Sequence, residues 1–195
     1  MDLFLKEISF NWSWIELVAV LFSIAYVFLA AKQKIWCWAA AMISVSIYIY
    51  ICFSAKLYAE TSLQIFYLFM AFLGYFNWKK PENNIKINEW SIKKHIIIIL
   101  TGAFFTFFLG FIFSSYTDAK MPIIDSFTTI FSLFATYMVI KKILENWLYW
   151  IVIDIVSVYL YNSRDLHLSA LLFVVYTVIA IYGYNNWLNN IKKNA

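Results

Sequence analysis

The chain has 195 residues, of which 64% are hydrophobic, 22% aromatic and only 13% charged, a composition far outside the range of ordinary soluble domains. Its formal net charge of +4 at pH 7 needs no nucleic acid as a partner, because lysines at the ends of membrane spans account for it. The apolar runs do not alternate with polar residues, which excludes a membrane β-barrel. The composition therefore predicts an all-α integral membrane protein.

Seven apolar runs follow one another between charged breaks, each able to cross a roughly 30 Å hydrocarbon core as a helix. The predicted transmembrane helices cover residues 14–31, 36–53, 57–77, 95–113, 123–140, 145–161 and 166–188. The first run lacks a basic start and a small-residue cleavage site, so we expect a retained helix rather than a signal peptide. Cys37 and Cys52 fall inside predicted spans, where we expect them to pack as small apolar side chains.

The distribution of lysine and arginine predicts the orientation, because short cytoplasmic loops accumulate these residues. With seven spans, the side of the N-terminus holds Lys6, Lys56, Lys120 and Arg164. The other side holds the remaining 11 of the 15 basic residues. We therefore expect a multi-pass protein of the bacterial cytoplasmic (inner) membrane, with its N-terminus outside and its C-terminus inside.

The chain also contains an internal repeat, since residues 15–78 align without a gap with residues 124–187 at an offset of 109. Identical pairs include Trp38 with Trp147, Gly74 with Gly183, Asn77 with Asn186 and Trp78 with Trp187. The sequence predicts one transmembrane domain over 1–195, built from two parallel three-helix repeats, 14–78 and 123–188, and a connecting helix, 95–113. Transporters with such repeats place a substrate site between the halves near the membrane midplane.

One aspartate interrupts the apolar run ENWLYWIVIDIVSVYLY at residues 145–161. Asp154 lies about 13 Å along the helix axis from the start of this span, close to the bilayer centre. A carboxylate there costs about 2.5 to 3.5 kcal/mol on insertion scales, so it should face protein or water rather than lipid. Either a hydrogen bond to a neighbouring helix or contact with a substrate would explain its presence.

The aromatic residues around Asp154 favour a substrate role. Trp147, Trp150 and Asp154 are spaced by three and four residues, which places them along one helical face. Indole rings followed by a carboxylate suit a flat cationic ring, through stacking, cation–π contact and charge pairing. An interfacial aromatic belt is the alternative for Trp147. The first repeat keeps this tryptophan as Trp38 but has Ala41 and Val45 at the other two positions.

Three further polar residues are candidates for contact with a substrate. Gln64 and Tyr67 lie one turn apart in the third span, where an amide and a phenol could bind a sugar or a carboxamide, or join two helices. Tyr176 matches Tyr67 at the offset of 109. Glu16 and Asp125 also match each other, but they lie near the outer ends of their spans, where we expect them to be solvated.

Nothing in the sequence indicates an enzyme. His95 and His167 stand alone at span ends, no cysteine or histidine cluster has metal spacing, and no glycine-rich loop could hold a phosphate. We therefore expect no catalytic residue, metal or cofactor. A carrier and a non-translocating receptor or scaffold are the two classes of protein that remain.

The signature ENWLYWIVIDIVSVYLY and the segments LYAETSLQIFYLFMAFLGYFNW and TDAKMPIIDSFTTIFSLFA resemble the bacterial nicotinamide riboside transporter (PnuC) family over nearly the whole chain. The resemblance implies a seven-helix fold like that of duplicated SWEET sugar transporters, assembled as a homotrimer. It also implies facilitated diffusion of a vitamin precursor, which a cytoplasmic kinase then traps by phosphorylation.

The same resemblance points to Gln64, Asn146, Trp147 and Trp150 as pocket positions. Asp154 departs from the pattern, because some nicotinamide riboside carriers have asparagine at the matching position. Relatives in the family carry thiamine or riboflavin, which leaves three candidate vitamins. The carboxylate favours a cation, either nicotinamide riboside or thiamine, over neutral riboflavin.

Overall fold

The computed structural model describes residues 14–56, 58–80, 86–117 and 119–194. Within these residues the chain forms seven α-helices: α1 (Trp14–Ala31), α2 (Trp36–Ser54), α3 (Tyr58–Lys79), α4 (Ile92–Tyr116), α5 (Pro122–Ile140), α6 (Asn146–Asn162) and α7 (His167–Asn194). Five of the helices described, all except α3 and α6, are long and apolar enough to cross a membrane. The prediction of an all-helical, multi-pass membrane protein is confirmed.

Each predicted span corresponds to one helix. Helix α1 has the predicted bounds, whereas α4 extends three residues beyond both ends of the predicted span 95–113. Helix α7 continues six residues past the predicted end at residue 188. The backbone hydrogen bonds of a helix do not require apolar side chains, so α7 can extend beyond the apolar run through the polar residues that follow it.

The described helices fall into two compact units, Met1–Asn84 and Ile85–Ala195. Unit 1 contains α1, α2 and α3, and α2 packs against both of the others. Unit 2 contains α4 to α7, in which each helix packs against the next along the chain.

Residues with a left-handed backbone conformation lie in the turns between the helices of both units. Gln33 (φ 55°) and Lys56 (φ 60°) follow α1 and α2 in unit 1. Lys142 (φ 51°) and Asp165 (φ 59°) follow α5 and α6 in unit 2, 109 residues later in each case. A residue in the left-handed region ends a helix and reverses the chain within a few residues. These turns allow adjacent helices to pack as tight hairpins.

In each unit a tryptophan packs over a glycine of the helix that follows it in the chain. The ring of Trp38 lies so close to Gly74 that an added Cβ would come within 2.4 Å of it. Trp38 also meets Trp78 edge-on, with ring centroids 5.4 Å apart. The corresponding residues of unit 2 are Trp147, Gly183 and Trp187, with the two indole centroids again 5.4 Å apart. Glycine is required at both positions for the helices to approach this closely.

Candidate substrate-binding site

Helix α6 carries a buried polar pair in its middle. Asp154 is the ninth of its 17 residues, and both Asp154 and Ser157, one turn later, are only 3% exposed. Neither side chain hydrogen-bonds to another residue in the described part of the chain. The sequence allowed two explanations for Asp154, and one of them, a hydrogen bond to a neighbouring helix, is therefore absent among these residues. Buried polar groups are normally satisfied, so a ligand or ordered water could supply the partner here.

Trp150 precedes Asp154 by one helical turn and is partly buried. It packs at the edge of an apolar cluster formed by Phe131, Ala135 and Ile153. Because the ring is only partly covered, Trp150 can offer aromatic surface on the side of α6 that holds the carboxyl group. The stacking role predicted from the spacing stays a prediction.

Trp147 is placed differently from Trp150, since only 2% of its surface is exposed. Its ring is enclosed by Gly183 and Trp187 of α7, and its buried Nε1 has no hydrogen-bond partner among the residues that the structure describes. Trp38 has the same surroundings in unit 1, where its Nε1 is likewise unpartnered. The contacts of Trp147 are thus those of a residue that joins two helices, which makes Trp150 the more accessible of the two indoles.

Asn146 begins α6 and is fully buried. Its Nδ2 donates to the carbonyl of Ile143 at 2.6 Å, whereas its buried Oδ1 has no hydrogen-bond partner in the described part of the chain. An unpartnered amide oxygen can accept a hydrogen bond from a hydroxyl or a carboxamide N–H. The same helix therefore presents both an acceptor and an acidic group.

The other candidates lie on α3 and α7. Gln64 and Tyr67 are partly buried in unit 1, and Gln64 has no hydrogen bond within the described residues. Tyr176 is partly buried in unit 2 and meets Phe173 edge-on at 5.7 Å. Phe173 in turn stacks on Tyr161 of α6 at 5.1 Å. Tyr176 is thereby connected to α6 through one aromatic ring.

Two polar contacts were not predicted from the sequence. Asp125, which we expected to be solvated, accepts a hydrogen bond from Arg164 at 2.6 Å. The isolated position predicted for His95 is wrong, since its Nδ1 lies 3.0 Å from the Tyr149 hydroxyl and its Nε2 3.7 Å from Glu145. A basic and an acidic side chain at neighbouring span ends were the available signal for the contacts of Asp125 with Arg164 and of His95 with Glu145. Among the residues described, no group of histidine, cysteine and acidic side chains could hold a metal ion.

An acidic residue buried in the middle of a helix of a multi-pass membrane protein marks a substrate or ion pathway, as in membrane transporters. Residues 13–189 match the sequence model described as nicotinamide mononucleotide transporter, and the chain belongs to that family. The family consists of transporters rather than enzymes, and the resemblance found in the sequence is confirmed.

Individual relatives agree with the family match. The chain is 24% identical to the nicotinamide riboside transporter PnuC of Escherichia coli (strain K12), over 96% of this chain and 90% of that protein. It is 26% identical to the nicotinamide riboside transporter PnuC of Haemophilus influenzae, over 93% of this chain and 82% of that protein. The crystal structure of the vitamin B3 transporter PnuC matches with a TM-score of 0.77 at 23% identity, covering 98% of this chain and 87% of that one. This likeness shows a shared fold.

Proposed function

We propose that this protein is a carrier that moves nicotinamide riboside across the bacterial cytoplasmic membrane by facilitated diffusion. The observation that carries the proposal is the buried, unpartnered carboxyl group of Asp154 one turn from the partly exposed indole of Trp150. Nicotinamide riboside contains a flat ring with a permanent positive charge. A carboxylate and an indole together match the charge and the shape of that ring.

In this mechanism the pyridinium ring stacks on Trp150 and pairs with Asp154. The pairing compensates both the buried carboxylate and the desolvated cation, each of which is costly alone. The unpartnered Oδ1 of Asn146 accepts a hydrogen bond from the carboxamide or from a ribose hydroxyl. Tyr176 of the same unit is a further candidate for such a contact. Phosphorylation of the transported vitamin in the cytoplasm then keeps the concentration gradient of the free vitamin directed inward.

The proposed architecture is two parallel three-helix repeats joined by α4, as in duplicated SWEET-like carriers. Two kinds of local geometry that recur after 109 residues support it: the left-handed residues of the turns and the tryptophan–glycine packing. A further match is the hydrogen bond from the Lys34 N–H to the Leu29 carbonyl, repeated between Ile143 and Met138 at the same 2.9 Å. The family resemblance alone supports a homotrimer.

Thiamine is the alternative cargo, since it is also a flat aromatic cation, and riboflavin is a third candidate from the family. Protein reconstituted in liposomes should show saturable uptake of nicotinamide riboside without ATP or an ion gradient, and protein-free liposomes should show none. Competition by the other two vitamins identifies the preferred cargo. Saturable binding without accumulation or exchange would instead identify a receptor that does not translocate, and the carrier proposal would be wrong.

The orientation that we propose places the N-terminus outside and the C-terminus inside. It rests on the distribution of the 15 basic residues, because short cytoplasmic loops accumulate lysine and arginine. We expect reporter fusions after Lys80 and at the C-terminus to be active as cytoplasmic reporters only. A periplasmic signal from either fusion contradicts this orientation.

A further inference from the structure

The segment that precedes α4, residues 86–91, forms hydrogen bonds with the turn that precedes α6. The N–H of Asn88 donates to the carbonyl of Lys142 at 3.0 Å, and the N–H of Leu144 donates to the carbonyl of Asn88 at 2.9 Å. The turn residues Lys142, Ile143 and Leu144 are at most 9% exposed. Two backbone hydrogen bonds therefore hold the segment against a buried turn.

Polar side chains extend this connection into α6 itself. Both carboxylate oxygens of Glu145 accept from the backbone N–H of Trp90, at 3.2 and 3.3 Å. The Nε2 of His95 lies 3.7 Å from Oε1 of Glu145, and its Nδ1 is 3.0 Å from the Tyr149 hydroxyl. The side chains of His95 and Glu145 are only 18% and 19% exposed. We call Glu145, His95, Tyr149 and the N–H of Trp90 the α6 latch.

The α6 latch has no counterpart at the matching positions of unit 1. Trp36 and Ala40 stand where unit 2 has Glu145 and Tyr149. Neither side chain has a carboxylate or a hydroxyl group. The latch is thus specific to the helix that carries Asp154, and the packing that both repeats share does not require it.

Residues of the latch alternate along α6 with residues of the candidate site. Asn146 directly follows Glu145, and Trp150 directly follows Tyr149. One residue corresponds to a rotation of about 100° around a helix axis and a rise of 1.5 Å. A small slip at the start of α6 would therefore turn Asn146 and Trp150 away from any ligand bound to that face.

We propose that the α6 latch positions the substrate-binding face of α6, with Glu145 and His95 as positioning residues for transport. The segment 86–91 and the start of α4 hold the first turn of α6 at a fixed depth and rotation. This inference rests on the proposed function, because it assigns the latch an effect on vitamin binding. It adds a role for residues that do not themselves touch the vitamin.

Limited proteolysis tests whether Glu145 holds the segment in place. Lys86 is the first residue of the segment and Lys93 follows its last residue by two positions, and both are sites for trypsin. In purified protein, Glu145→Ala should raise the rate of cleavage there about tenfold, since losing the carboxylate frees a hydrogen-bonded segment to open locally. Glu145→Gln keeps an acceptor for the Trp90 N–H and should stay within about threefold of wild type. Leu148→Ala is the matched control, because this side chain is 43% exposed and lies outside the latch.

Uptake by the same variants in liposomes tests the positioning role. With the vitamin that the wild type carries, Glu145→Ala should raise KM about tenfold and change the maximal rate less than about twofold. His95→Ala preserves the contact of Glu145 with Trp90 and should raise KM about threefold. Glu145→Gln should retain most of the wild-type affinity. If Glu145→Ala does not insert, His95→Ala decides the test.

The possible outcomes separate the latch from the proposed function. Unchanged cleavage in Glu145→Ala shows that the carboxylate does not hold the segment, and unchanged KM with faster cleavage shows that the latch does not position the site. Either result overturns the inference. A wild-type protein that carries another vitamin contradicts the proposed cargo only, because KM is then measured with that vitamin. A wild-type protein that neither binds nor carries any vitamin overturns both proposals.

Discussion

Asp154→Asn should weaken the affinity for nicotinamide riboside about ten- to a hundredfold. In a desolvated site, a charge-assisted contact is typically worth about 1.5 to 3 kcal/mol, which corresponds to that loss. Asparagine has nearly the same shape and can still form hydrogen bonds. Since a neutral side chain enters the membrane more easily, the amount of protein in the membrane should remain near that of wild type.

The measurement is the KM for uptake by liposomes containing equal amounts of wild-type or variant protein. Asp125→Asn is the matched control, because it removes an acidic charge from unit 2 in the first turn of α5, where Asp125 pairs with Arg164. That pair is partly exposed, so its loss should change KM less than about threefold. Undiminished transport of a cationic vitamin by Asp154→Asn, or transport of neutral riboflavin alone, contradicts the charge pairing.

Trp150→Ala should raise KM by about tenfold or more, and Trp150→Phe should recover most of that loss. Stacking of a flat heterocyclic ring on an aromatic side chain is worth about 1 to 3 kcal/mol by alanine substitution, with a cation–π contribution for a charged ring. Alanine also removes contacts with Phe131, Ala135 and Ile153. The phenylalanine variant keeps much of that packing and thus separates stacking from a general loss of stability.

Both tryptophan variants are measured for KM in liposomes and for thermal unfolding in detergent. Trp36→Ala serves as the control, since this indole is 70% exposed on α2 and is not a candidate for binding. An unchanged KM in Trp150→Ala contradicts stacking on this ring. A fall in thermal stability with unchanged KM shows that Trp150 acts only in packing.

The helices could be predicted closely because the membrane restricts their length. A span must cover about 30 Å of hydrocarbon, so an apolar run between charged residues identifies both ends. This argument succeeds for α1, whose bounds, Trp14–Ala31, are those predicted. It fails at the end of α7, where the helix continues through polar residues that lie past the apolar run.

The site could be predicted only in part, for a different physical reason. Asp154 is unusual within its own span, so its cost in hydrocarbon is visible in the sequence. His95 and Glu145 are ordinary polar residues at span ends, and they meet only because α4 and the α5–α6 turn come together across 49 intervening residues. For Trp147 a signal was present, since its match with Trp38 indicates a residue of the shared scaffold.

The division into two units also has a consequence for biogenesis. Because α2 packs against α1 and α3 within unit 1, all the helices of that unit are present once Asn84 has been synthesised. Asp154 is added 70 residues after Asn84, which takes a ribosome about 3.5 to 14 s at typical rates of elongation. An individual helix of about 20 residues forms within about a microsecond. The first three helices therefore have time to associate in the membrane before Asp154, the most costly residue to insert, leaves the ribosome.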